Sequence, residues 1–247
     1  MAMALAILLG FSMREHVMPV PEIATSTPPV ATSTQSALQR VVAIATTTAE
    51  RVHDVVLDRD RGWKQGIATV FWVGEGETND NGYISNAASA WDMRWMEHFG
   101  GLDDPDDRCG YNPCAFTPKE NPFYVALPYS DLEDDGQRKE NASIVPWNDT
   151  SARTSVLKNR WIEVRHLSDT CYGQWQDVGP FEEDDAAYVF GDAPTAKNQF
   201  GEKAGIDLSP ALADCLKIDG SDTVTWRHVE AKDVPEGPWR TIITTRP

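Results

Sequence analysis

The feature that most constrains this chain is a series of short segments rich in β-branched and aromatic residues, separated by irregular gaps. Such segments favour β-strands, which are predicted at 66–74, 123–127, 160–165, 172–176 and 224–229. Helices are fewer. One is predicted at 89–99 and another at 209–216, where Ser209 fits an N-cap followed by Pro210. Few helices, uneven spacing and no internal repeat predict a small β-barrel with helical and loop inserts.

The N-terminal part of the chain differs in composition from the remainder. Residues 1–18 begin with an almost continuously apolar stretch that is too short to span a bilayer and has the length of a signal-peptide apolar region. Residues 19–36 are rich in Pro, Ser and Thr and predict an extended linker, while 37–61 predict an amphipathic helix. We therefore expect the β-barrel domain over 62–247. The protein is expected to be secreted or extracytoplasmic, or tethered through its N-terminus, without a stable membrane span.

The charge of the chain excludes one class of partner. It carries 38 Asp and Glu against 22 Lys and Arg, a formal net charge of −16. An acidic surface without a basic cluster repels phosphate backbones and anionic membranes. We therefore expect no nucleic-acid partner, and a ligand that is neutral or cationic, or a protein. The oligomeric state is not indicated.

Four cysteines stand at 109, 114, 171 and 215. An even number in an exported protein favours disulfides, and of three connectivities we favour Cys109–Cys114 with Cys171–Cys215. Zinc is disfavoured because the second pair is too widely separated in sequence. Residues 131–136 resemble the start of a calcium loop, but Ala142 stands where a bidentate Glu is required. No metal or cofactor is predicted.

Nine tryptophans could serve either the core or a sugar-binding groove, because an indole face stacks on sugar rings and also fills apolar interiors. Most lie in predicted strands or in the first helix and are expected in the core. Trp147 and Trp239 lie outside these elements and Trp91 lies near the start of the helix. These three are the candidates for a groove.

The most specific motifs lie between 160 and 229. A strand with Trp161-Ile-Glu-Val precedes Gln176-Asp-Val-Gly-Pro-Phe181, then come Gly205-Ile-Asp-Leu-Ser-Pro-Ala211 and Val224-Thr-Trp-Arg. Upstream are Ala68-Thr-Val-Phe-Trp-Val-Gly74 and Leu127-Pro128. This order resembles the six-stranded double-psi β-barrel of the rare-lipoprotein-A and expansin group over about residues 66–230, with long inserts at 75–122 and 130–158. The resemblance implies that fold and a cell-wall polysaccharide, peptidoglycan or a cellulose-like glycan, as partner.

The same resemblance implies roles for individual residues. Asp207 stands where enzymes of this fold carry the acid that protonates the leaving glycosidic oxygen. Asp177 is either a second carboxylate that shifts the pKa of Asp207 or a cap of the Val178-Gly179-Pro180 turn. Transglycosylases of the group have a histidine three residues before Leu-Pro. Here that residue is Tyr124, which we assign to substrate binding.

Two functions from different classes are consistent with these observations. The first is an extracytoplasmic protein that binds a wall glycan and cleaves it with Asp207 as general acid, in the manner of a lytic transglycosylase or glycosidase. The alternative is a non-catalytic, expansin-like polysaccharide-binding module. A third interpretation is a structural or protein-interaction domain. The presence of a second carboxylate or a histidine near Asp207 across an open groove would favour the enzyme over the binding module.

Overall fold

Six β-strands form a closed barrel in the computed structural model, which describes residues 62–247. The predicted segments 1–18, 19–36 and 37–61 lie outside the described residues. Within 62–247, no helix is long and apolar enough to cross a membrane. The barrel strands are β1 Lys64–Val70, β4 Tyr124–Leu127, β5 Trp161–His166, β6 Asp169–Val178, β7 Ile206–Leu208 and β8 Asp222–Val229. A short hairpin outside the barrel is formed by β2 Arg108–Cys109 and β3 Asn112–Pro113.

Helices are short and lie in the connections. They are α1 Trp95–Phe99, α2 Ala186–Val189 and α3 Pro210–Leu216, with 3₁₀ turns at Glu140–Ile144, Ala231–Asp233 and Pro238–Arg240. The N-cap of α3 is as predicted, because the Ser209 side chain accepts a hydrogen bond from the Leu212 N–H. The first helix is shorter than predicted. Ser89 Oγ accepts from the backbone N–H groups of Trp91 and Asp92, a local turn that competes with helix formation.

The order of strands around the barrel is β1-β7-β4-β6-β5-β8. β1 runs parallel to β7 and β4 parallel to β6, and all other neighbours are antiparallel. The pairing pattern has an internal two-fold symmetry. When β1 is exchanged with β6, β4 with β7 and β5 with β8, each parallel pair becomes a parallel pair and each antiparallel pair an antiparallel pair. The mainly β fold, a closed six-stranded barrel of double-psi type with inserts, is therefore confirmed.

The interior of the barrel is filled by large apolar side chains that are 0–1% exposed. They include Val125, Leu127, Ile162, Val164, Trp175, Ile206, Leu208, Val224 and Trp226. The two buried indoles have hydrogen-bond acceptors: Trp175 Nε1 donates to the Asp177 carbonyl at 2.7 Å and Trp226 Nε1 to the Tyr188 hydroxyl at 3.0 Å. The close packing of the interior fixes the strand registers, and the registers determine which polar residues of neighbouring strands lie side by side.

Two disulfides connect elements of the domain in the favoured pairing. Cys109–Cys114 closes the β2–β3 hairpin with a Cα–Cα distance of 4.8 Å. Cys171–Cys215 joins β6 to α3 with a Cα–Cα distance of 6.4 Å. Because disulfides persist where thiols are not kept reduced, the two bonds indicate an extracellular or otherwise oxidising environment.

Candidate functional site

One row of residues crosses four neighbouring strands of the barrel. Thr69 in β1 is in register with Asp207 in β7, Asp207 with Ala126 in β4, and Ala126 with Asp177 in β6. Residues paired across strands point to the same face, so the two carboxylates share a face with only an alanine between them. Two strand spacings put their Cα atoms about 10 Å apart.

Asp207 is the half-buried acid of this row. Its Oδ1 accepts a hydrogen bond from the Thr69 hydroxyl. Burial raises the pKa of Asp207 to about 7, and repulsion by Asp177 and Glu75 acts in the same direction, against the bond from Thr69. A carboxyl group with such a pKa holds a proton for much of the time at neutral pH, which a general acid requires.

Asp177 combines the two roles considered for it. Its side chain is 7% exposed, and its Oδ1 accepts from the backbone N–H groups of Ala90 at 2.7 Å and Val178 at 2.8 Å. It therefore caps the turn after β6 and also holds the insert that contains Ala90. Burial raises the pKa of Asp177 to about 7, and its charge raises the pKa of Asp207.

The row opens into a groove of about 680 Å³. Five carboxylate side chains line it: Glu75, Asp80, Asp177, Glu202 and Asp207. Trp72, Phe181 and Phe200 contribute aromatic surface to the same groove. No lysine, arginine or histidine of residues 62–247 is among the lining residues. The groove is therefore acidic with aromatic walls, a combination suited to neutral or cationic ligands.

Phe181 and Phe200 form an exposed aromatic pair at the edge of the groove. Their ring centroids are 4.4 Å apart, and the residues are 41% and 44% exposed. Phe181 has a φ of +58°, in the left-handed region that costs a residue with a Cβ about 1–2 kcal/mol. The pair therefore leaves aromatic surface open at the edge of the groove.

Glu75 is a groove residue that no sequence motif indicated. It follows the opening strand closely, is 9% exposed, and its Oε2 accepts from Asn86 Nδ2 at 2.8 Å. Burial raises the pKa of this carboxyl. The only indication in the sequence was its position shortly after β1. Glu77 and Asp92 also follow β1, so this indication did not single out Glu75. Asp92 lies elsewhere, paired with His98 Nδ1 at 2.6 Å.

The assignment of Tyr124 to substrate binding is wrong. Tyr124 is fully buried in a second apolar cluster with Phe71, Trp95 and Phe99. Its hydroxyl donates to Asp103 Oδ2 at 2.8 Å and accepts from the Val73 N–H at 2.9 Å. Asp103 is itself buried and paired with Arg108. Tyr124 therefore anchors the insert to β4 and contacts no ligand.

Replacing Tyr124 by phenylalanine is expected to destabilise the domain by about 1–3 kcal/mol, because the buried Val73 N–H loses its acceptor and Asp103 loses a donor. Urea denaturation followed by tryptophan fluorescence measures this. Tyr83→Phe is the matched control, since Tyr83 is 66% exposed and its removal should cost less than about 0.5 kcal/mol. Equal losses in the two variants would contradict the anchoring role.

None of the three candidate tryptophans lines the acidic groove. Trp239 is 8% exposed, donates to the Pro235 carbonyl at 3.0 Å and packs on Phe123, so its assignment to a groove is wrong. Trp91 is half-buried, with its ring centroid 5.7 Å from that of Trp175. Trp147 lines a different groove, under the guanidinium of Arg160 at 4.7 Å.

Comparisons with known proteins leave the family open. No protein-family model matches the chain, and no curated protein matches it. Among solved structures, the Streptomyces papain inhibitor is similar, at 15% identity over 69% of this chain and 96% of its own, with a TM-score of 0.30. A similarity of that size carries no functional assignment. Function must therefore be inferred from the site itself, an acidic groove with two neighbouring high-pKa carboxyl groups and an exposed aromatic pair.

Proposed function

We propose that this protein binds a cell-wall polysaccharide in the acidic groove, outside the cytoplasm, and cleaves it with Asp207 as the general acid. The observation that carries the proposal is the position of Asp207. It is a half-buried carboxyl with a pKa raised to about 7, and it faces an open groove that also contains Asp177 and Glu75. Further carboxylates near the acid are what a cleaving enzyme requires and a binding module does not.

The aromatic pair supports a glycan as the ligand. Sugar rings have flat apolar faces that stack on aromatic rings, and Phe181 and Phe200 present such surface at the edge of the groove. The resemblance of the Gly-Pro-Phe and Asp-Leu-Ser segments to wall-active double-psi barrels points to the same class of ligand. The non-catalytic, expansin-like module remains the alternative, with Asp207 only hydrogen-bonding the sugar.

Binding is tested by sedimenting the protein with insoluble peptidoglycan and with cellulose, at low and high salt. We expect wild type to sediment with at least one polymer and Phe181→Gly to bind about tenfold more weakly, because an aromatic stacking contact is lost. Glycine fits the φ of +58°, so the unfolding free energy should change by less than about 1 kcal/mol.

Leu167→Ala is the matched control, because Leu167 is an exposed apolar residue at 92% exposure that does not line the groove. It should bind as wild type does. A wild-type protein that stays in the supernatant under both salt conditions would exclude a glycan ligand.

A further inference from the structure

The charge of the groove distinguishes between kinds of glycan. Five carboxylates line it and no basic side chain of the described residues does so. Lys203 follows Glu202 in the chain, but it is not a lining residue. A ligand with carboxylate or phosphate groups would be repelled here, and a ligand with positive charge would be attracted.

Two of the acidic residues lie on the segments that carry or contact the aromatic pair. A Cβ on Gly82 would be 3.2 Å from Phe181 Cε1 and 3.9 Å from Phe200 Cζ, so the backbone of the loop that carries Asp80 packs on both rings. Glu202 follows Phe200 by two residues. Asp80 and Glu202 are both exposed, and neither side chain has a hydrogen bond or ion pair with another residue in 62–247.

An independent observation lies deeper in the groove. Asp177 is 7% exposed, and both of its hydrogen bonds are made by Oδ1. Its Oδ2 accepts no hydrogen bond from the described residues, although the side chain lines the groove. This oxygen is not one of the buried atoms without a partner, so it is open to the groove and can accept a hydrogen bond from a ligand.

We propose that the groove selects a glycan whose sugar units carry free ammonium groups, such as a polymer of de-N-acetylated amino sugars. The sugar ring stacks on Phe181 and Phe200, and the ammonium group lies between Asp80 and Glu202, with a second amine or hydroxyl donating to Asp177 Oδ2. Aromatic faces combined with carboxylates are a general means of recognising ammonium groups. This inference rests on the proposed glycan-binding function and specifies its substrate class.

The experiment measures, by isothermal titration calorimetry, the binding of glucosamine oligomers, N-acetylglucosamine oligomers of the same length and oligolysine of the same charge. Mildly acidic pH keeps the amines protonated and the exposed carboxylates ionised. We expect wild type to bind the glucosamine oligomer about tenfold more tightly than either of the others. In Asp80→Asn/Glu202→Gln this preference over the N-acetylated oligomer should be lost while binding of that oligomer is retained.

Glu230→Gln/Asp233→Asn is the control, because it removes the same charge from residues that do not line this groove. It should keep the preference. Equal binding of the two sugar oligomers would overturn the inference and leave the proposed function standing. A preference lost equally in the control, or oligolysine binding as tightly as the glucosamine oligomer, would also overturn it, since general attraction of cations would then explain the binding. Absence of binding to either oligosaccharide, together with no sedimentation on wall polymers, would end both proposals.

Discussion

Asp207→Asn is expected to lower the release of soluble glycan fragments by about 10²–10⁴-fold at neutral pH, the range that a general acid contributes. Asparagine cannot donate the acidic proton, but its side-chain oxygen can still accept the hydrogen bond from Thr69. The fold and the affinity for the polymer should therefore be retained. Release of muropeptides from peptidoglycan, or of reducing ends from cellulose, measures the effect.

The pH profile is a second test of the same residue. Because a general acid must be protonated, and burial raises the pKa of Asp207 to about 7, the wild-type rate should fall as the pH rises through about 7. A carboxyl of ordinary pKa would lose its proton several units lower. Equal release by wild type and Asp207→Asn would remove Asp207 from the acid role. Binding without release by either protein would favour the expansin-like alternative.

Removing the Cys171–Cys215 disulfide by a double substitution to alanine is expected to lower the unfolding free energy by about 4 kcal/mol, from the chain entropy of the loop that it closes. The bond spans a sequence separation of 44 residues and connects β6 with α3, and Cys171 is 2% exposed. A loss of this size is a large part of the stability of an ordinary domain. Urea denaturation monitored by far-UV circular dichroism measures it.

The Cys109–Cys114 bond is the internal control for that prediction. Its sequence separation is 5, so the same entropy relation gives about 2 kcal/mol for its removal. It also lies in the β2–β3 hairpin, outside the barrel. If the two double substitutions cost the same, loop entropy would not be the source of the stabilisation.

The strands of the barrel could be predicted from the sequence because most of them contain runs of β-branched and aromatic residues. β7 is the exception. It has only three residues, Ile206–Leu208, and periodicity cannot be recognised over so short a segment. The resemblance implied six strands but did not place one at these residues. The register that brings Asp207 beside Thr69 and near Asp177 depends on this strand and emerges only in three dimensions.

The aromatic residues of the site could not be predicted from the sequence, because the exposure of a side chain depends on tertiary contacts. Trp239 lies outside the predicted strands but packs on Phe123, whereas Phe181 lies in a short turn motif and is exposed. Tyr124 stands where transglycosylases of the group that the sequence resembles have a histidine, yet side chains of the insert bury it completely. Whether these side chains are exposed or buried depends on contacts between segments that are far apart in the chain.

The exchange pattern of the barrel has a consequence for the composition of the site. Thr69 and Asp177 occupy equivalent positions in the two halves of the pattern, as do Ala126 and Asp207. A barrel made from two identical three-strand units would carry a single row of this kind, with the same residues in its two halves. In this chain both acids lie in the second half of the pattern, and the first half supplies the hydroxyl and the small residue between them. The row of site residues is therefore asymmetric, and neither half of the barrel alone contains it.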